Sequence, residues 1–147
     1  MLGGVLYLSS VSAATLVIRD ETGQVVERFD DQELAALPQR SFQTATPWTD
    51  GTSSFEGPTL ADLLSVVEQV PEGLTLRALN DYQVDFPMSA MMEDAPIIAF
   101  LRDGRRMSVR EQGPYWLMFP FDSDPGLQQE RFYSLSVWQL KEIIIHR

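Results

Sequence analysis

The stretch Phe55-Glu56-Gly57-Pro58-Thr59-Leu60-Ala61-Asp62-Leu63-Leu64 decides how the rest of the chain is read. It joins a glycine, a proline and a threonine directly to an apolar run spaced for one helix face. Thr59 is placed to cap a helix, with Asp62 as the acid that completes a capping-box-like start. Leu60, Leu63, Leu64 and Val67 recur at three- and four-residue steps, the mark of a buried stripe. The spacing predicts the main helix over Pro58 to Val70 (about 58–70), closed by the turn Pro71-Glu72-Gly73.

Upstream, TLVIRD (15–20) and VVERFD (25–30) are β-rich runs on either side of Glu21-Thr22-Gly23-Gln24, a hairpin signal. Asp31 to Leu37 reads as a short helix, capped by Asp30 or Asp31 and stopped by Pro38. Residues 40–46 return to a strand, and Pro47 to Gly57 reads as a polar loop carrying two aromatics.

Downstream, Leu74–Leu79 and Tyr82–Phe86 alternate apolar and polar around the turn residues Asn80-Asp81, as a hairpin does. A turn of helix is expected over Met88–Met92. Pro96–Leu101 reads as a buried strand, with Asp103-Gly104 as a tight turn and Arg105–Val109 pairing back. Tyr115–Phe119 and Lys141–His146 complete the strands. The expectation is an α+β fold: one compact β-rich domain over residues 15–147, with mixed short-strand sheets and one main helix.

Composition narrows the function classes. The chain has 147 residues, ordinary apolar content at 44%, and a net charge of -10 from 21 acidic and 11 basic residues. A surface so acidic repels phosphate backbones and anionic headgroups, so no nucleic-acid partner and no membrane docking are expected. The absence of cysteine excludes disulfides, thiolate metal sites and cysteine nucleophiles together. Met1 to Ala14 is apolar and rich in small residues, and Val11-Ser12-Ala13 or Ser12-Ala13-Ala14 can end a signal peptide. Residues 1–14 therefore read as a signal peptide with a trimmed start, which implies a periplasmic protein; an ordinary first strand is the alternative. The run is too short to span a bilayer, so the mature chain is not expected to insert in a membrane.

The order of the elements resembles the oxidoreductase molybdopterin-binding domain, the fold of sulfite oxidases and their periplasmic relatives. Phe55 to Leu64 is similar to that family's aromatic-x-Gly-x-x-Leu-x-Asp-Leu-Leu segment. Ala78-Leu79-Asn80-Asp81-Tyr82 followed by Phe86-Pro87 is similar to its Ser-x-Asp-Gly-Tyr hairpin. Ile97-Ile98-Ala99-Phe100 with Asp103-Gly104, then Gly113-Pro114 to Pro120, looks like its strand, turn and Gly-x-Pro succession. Trp138-Gln139-Leu140 and Ile143-Ile144-Ile145 fit its tryptophan-bearing ending. The likeness spans about residues 15–147. It implies a pocket for molybdopterin and a metal-ligating cysteine on the strand before the loop. The matching stretch, Phe42 to Trp48, puts Ala45 or Thr46 there instead. A neutral hydroxyl does not replace a soft anionic sulfur at molybdenum.

Three groups are candidate ligand-binding residues. The loop Thr44 to Glu56 offers Thr44 and Thr46 beside Trp48, hydroxyls with an indole for a small polar ligand; a polar surface loop with Trp48 at the core edge is the plainer account. Asn80, Asp81 and Tyr82 lie near the cofactor site if the resemblance holds, although turn chemistry also explains the first two. Arg102 and Arg106, with Arg105 and Arg110, form the basic cluster suited to oxyanions, or else offset local acid. No catalytic residue can be named. No metal ligand set is expected, because His146 is the single histidine and stands beside the C-terminus. Met88, Met91 and Met92 read as packing rather than copper ligands. No phosphate-binding loop or dinucleotide fingerprint occurs, nor a nucleophile-elbow motif for a hydrolase triad.

Two functions follow. The first is a non-catalytic periplasmic binding or interaction domain, its cofactor site lost, serving a small polar ligand or a periplasmic or membrane protein partner. It expects a pocket too small for a pterin, or blocked by Trp48 or Trp116. The alternative is a molybdopterin-dependent oxidoreductase holding its metal without cysteine. That version expects Arg77, Arg102 or Arg106 to converge on a long cavity.

Overall fold

In the computed structural model, which describes residues 14–147, three sheets share one apolar core. The expected signal segment lies outside the described residues except for Ala14. The strands are β1 (Leu16–Asp20), β2 (Val25–Phe29), β3 (Arg40–Ala45), β4 (Thr52–Gly57), β5 (Gly73–Ala78), β6 (Gln83–Pro87), β7 (Ile97–Ala99), β8 (Leu101–Arg102), β9 (Arg105–Arg106), β10 (Trp116–Met118) and β11 (Leu140–His146). The helices are α1 (Asp31–Ala36), α2 (Leu60–Leu64) and α3 (Glu130–Tyr133). The fold is thus β-rich and α+β in class, and among the described residues no helix is long and apolar enough to cross a membrane.

The largest sheet has the order β2-β1-β11-β5-β6, and its one parallel pair joins β1 to β11. Alternation fixes its two faces. Ile18, Ile143 and Leu76 lie in register across β1, β11 and β5, all fully buried. Their neighbours Arg19, Glu142 and Arg77 face outward, and both guanidiniums bond the one carboxylate, at 2.6 and 3.0 Å. The second sheet, β3-β4-β8-β9, meets the β7-β10 pair where β4 runs into the chain after it. Phe100 N–H donates to Glu56 O, and Ile98 N–H donates to Pro58 O. Gly57 permits this approach, since a Cβ there would stand 1.8 Å from Ile98 O.

Asp30 caps α1 through a full capping box with Glu33, as the sequence suggests. The main helix is a correction. Thr59 caps it and Leu60, Leu63, Leu64 and Val67 are all buried, but α2 ends at Leu64 rather than Val70. The Ser65 hydroxyl donates to Asp62 O, and Ser65 and Val67 N–H groups bond three residues back instead of four. This tightened turn precedes Val66 and Val67, both β-branched, and the helix is not resumed.

Other bounds also differ. The expected loop Pro47–Gly57 contains β4, which pairs with β3 from Arg40↔Gly57 to Ala45↔Thr52. Its inward positions are Ser53, Phe55 and Gly57, so the apolar alternation is faint. The single strand expected at Pro96–Leu101 changes sheets at Phe100. Only Arg105–Arg106 pairs back after the Asp103-Gly104 turn, and Val109–Glu111 is a short 3-10 turn. The turn of helix at Met88–Ala90 is present.

Candidate functional site

Four segments converge on one cleft at the end of the core. Thr44 and Thr46 act first, as the frame of the loop after β3. The Thr44 hydroxyl is fully buried, donates to Ala45 O at 2.9 Å and accepts from Asp122 N–H at 3.0 Å. Thr46 Oγ1 accepts from Trp48 N–H and bonds the Thr49 hydroxyl, closing a local side-chain turn. These bonds project the indole of Trp48 into an aromatic cluster. Its ring lies 5.5 Å from Trp138 at 69°, 5.8 Å from Tyr133 at 87° and 6.0 Å from Trp116 at 53°. Such edge-to-face packing is what the ring quadrupoles favour.

Helix α3 supplies Tyr133 and Glu130, and the segment entering β11 supplies Trp138. The opposite wall is the tip of the β5–β6 hairpin. Asn80 Oδ1 accepts from Tyr82 N–H, and Asp81 takes a left-handed backbone with φ 66°. Leu79 N–H donates to Gln139 O, so the hairpin tip and the Trp138 segment are held together. The Tyr82 hydroxyl reaches Ser134 O at 3.4 Å across the mouth. The resulting open cleft has a volume of about 420 Å³, lined also by Pro47, Ala78, Ser136 and Val137. Among the described residues its lining has one carboxylate, Glu130, and no lysine, arginine or histidine.

Of the residues marked in the sequence, Trp48, Asn80 and Tyr82 therefore come together. Thr44 and Thr46 lie behind Trp48, with their oxygens engaged as described. Asp81 points to Lys141, 3.1 Å away. The arginines do not converge. Arg102 donates to Ser53 Oγ, Arg106 pairs with Asp31, and Arg77 pairs with Glu142. Glu130, Tyr133, Ser134 and Ser136 escaped the sequence reading, because α3 is a four-residue turn with no periodic stripe to announce it. A second, flatter hollow of about 510 Å³ beside Arg40 holds none of the marked residues, and its Arg40 is paired with Asp94.

The chemistry of the lining bears on a pterin cofactor. A pterin phosphate is best held by positively charged partners, and the described lining of this cleft has aromatic rings and one carboxylate but no basic side chain. The residues present do not fit that group. The indole of Trp48 stands in the cleft wall, while Trp116 is fully buried behind it, its Nε1–H donating to Ser136 O.

Two further groups lie away from the cleft. Thr75 Oγ1 contacts both Asp85 Oδ1, at 3.0 Å, and His146 Nε2, at 2.8 Å, while His146 Nδ1 faces Glu21 at 3.7 Å. This row of hydroxyl, imidazole and carboxylate was not foreseen from the sequence. The single Thr75 proton goes either to Asp85 or to His146 Nε2; when Asp85 takes it, the Thr75 oxygen accepts from the protonated ring nitrogen. The Tyr115 hydroxyl sits 3.0 Å from Ala14 O and 2.9 Å from Asp31 Oδ1. Burial, then the bond to Asp31 and its charge, push its ionisation far above the usual phenol range. Among the described residues no cluster of three or more histidine or acidic side chains is placed to hold a metal.

No family model matches this chain, and neither does any curated protein. The class of protein is accordingly described by the fold and the cleft alone: an α+β domain with an aromatic, acid-edged cleft.

Proposed function

We propose that the chain is a non-catalytic binding domain of the periplasm, built on a scaffold of the sulfite-oxidase molybdopterin-binding type whose cofactor site has been lost. In this reading the cleft at Trp48 takes a small polar ligand, or the domain serves a periplasmic or membrane protein partner through its surface. One observation carries it. Trp48 meets Asn80 and Tyr82, about thirty residues further along the sequence, at a cleft whose volume falls in the range of small-molecule sites, roughly 300–1,000 Å³. The motif order that resembles that family, together with the absence of cysteine, supports a scaffold kept after its redox chemistry was lost.

The test is metal and pterin content, measured by elemental analysis for molybdenum and tungsten and by pterin fluorescence, on protein from a host able to make the cofactor. The expected result is folded protein without either. Stoichiometric metal and pterin would replace this reading with a molybdopterin-dependent oxidoreductase lacking a cysteine ligand.

A further inference from the structure

We infer that the ligand of the Trp48 cleft is a small organic cation of the alkylated or quaternary ammonium class. The inference rests on the cleft being a binding site, as proposed above, and specifies what it binds.

The first argument is the arrangement of the rings. Trp48 meets Tyr133 at 87° and Trp138 at 69°, so these walls form a corner and not a flat platform. Tyr82, 48% exposed, stands across the mouth. Rings set at such angles around one cleft offer a compact, roughly spherical head π-surface on more than one side, as ring cages do for ammonium groups. A flat sugar ring is better served by a single platform.

The second argument is charge. Glu130 is exposed at the rim, and no basic side chain in the lining offsets it. The net charge of -10 adds a field that concentrates cations near the whole surface.

The third argument is the state of the polar lining. Ser136 already donates to Phe132 O at 2.9 Å, and Ser134 donates to Arg131 O at 3.0 Å. Asn80 Oδ1 is taken by Tyr82 N–H, and the Tyr82 hydroxyl is turned to Ser134 O. What remains for a ligand is ring surface, the Glu130 carboxylate and a few donors at the ring edges, the Asn80 amide N–H and the Trp48 and Trp138 indole N–H groups, with no charged donor among the described residues of the lining. A head group without N–H bonds gives up no hydrogen bond of its own in such a site, and the serine hydroxyls that would otherwise compete for a ligand are already engaged.

The experiment is a titration followed by tryptophan emission and calorimetry. The full-length protein is titrated with choline and with its neutral carbon isostere, the alcohol in which carbon replaces the quaternary nitrogen. A neutral disaccharide and inorganic phosphate complete the set. Choline should saturate, binding about tenfold or more tighter than the isostere, the ratio expected of a desolvated cation–π contact. Glu130→Gln should weaken choline several-fold and leave the isostere unchanged. Tyr82→Leu, at an exposed hairpin tip, should weaken choline more than the isostere. Equal binding of choline and isostere would overturn the cation assignment, as would saturation by the disaccharide or phosphate in place of choline; each leaves the binding-domain reading standing. No saturable response to any of the four would remove both the cation and the small-ligand half of that reading.

Discussion

The Thr44 hydroxyl accepts from the Asp122 backbone N–H at 3.0 Å, and the Asp122 carboxylate accepts in return from the N–H of the neighbouring residue Ala45 at 2.9 Å. The clasp ties the end of β3 to the turn that carries buried Phe121, and Trp48 is suspended between them, 6.3 Å from the Phe121 ring. A threonine that looked like a ligand contact in the sequence thus sets where the cleft wall stands.

Thr44→Val keeps the shape and removes the oxygen, leaving the Asp122 N–H without its acceptor. The expected cost is about 1–3 kcal/mol in denaturant unfolding, with an unchanged slope. Thr44→Ser should recover most of it, because the hydroxyl returns. If valine were as stable as threonine, the clasp would have no structural weight.

Gly57 and Gly23 make opposite predictions for the same substitution. At Gly57 a Cβ would meet Ile98 O at 1.8 Å, backbone against backbone, in the seam joining β4 to the strand of Ile97–Ala99. Gly57→Ala should therefore cost about 3 kcal/mol or more, or prevent folding. Gly23 has φ +89° with open space around it, so Gly23→Ala meets only left-handed backbone strain, on the order of 1 kcal/mol. Thermal unfolding of both variants checks the ranking.

The parts of this fold legible in the sequence are those with local chemistry. The Asp30 cap of α1, the Asn80-Asp81 turn and the Leu60–Leu63–Leu64 stripe each follow from residues within a few positions. The length of α2 was not legible, because the stripe runs on to Val67 while the Ser65 hydroxyl competes for the helix backbone. Strand β4 was hidden because a serine and a glycine occupy two of its inward positions. The cleft was half legible: aromatic and turn residues marked Trp48, Asn80 and Tyr82. Glu130 and Tyr133 arrive on a turn too short to leave a pattern. The arginines misled because charge type is visible in a sequence and the partner is not.

Tyr115 gives a pH prediction. Its hydroxyl is held neutral by burial and by Asp31, so its folded ionisation lies far above the ordinary value near 10. A raised folded pKa means that stability is fully present below pH 10. It is lost as the pH climbs from there toward the folded value, since the unfolded chain gives up the proton first. Each unit in that interval should cost about 1.4 kcal/mol from this group. Tyr115→Phe should be less stable at neutral pH by about 1–2 kcal/mol, yet lose less between pH 10 and 11 than the parent. Unfolding curves at matched ionic strength give the difference, and parallel declines would refute the assignment.

Glu142 shows what a protein this acidic does with its few guanidiniums. It stands between Arg19 and Arg77 on the outer face of β11, its side chain 13% exposed against 32% and 35% for the arginines. One carboxylate serving two cations on adjacent strands orders three side chains with a single shared geometry, so it should exceed an isolated surface pair. Glu142→Gln keeps the shape and removes the charge, leaving two like charges facing each other across the sheet. The expected loss is about 1–2 kcal/mol at low salt, shrinking in molar chloride as screening reaches the pair. Arg40→Ala is the comparison, because Arg40 and Asp94 are 55% and 66% exposed and should contribute close to nothing. A salt-independent loss at Glu142 would mean that packing of the long arginine stems, and not charge, holds that face together.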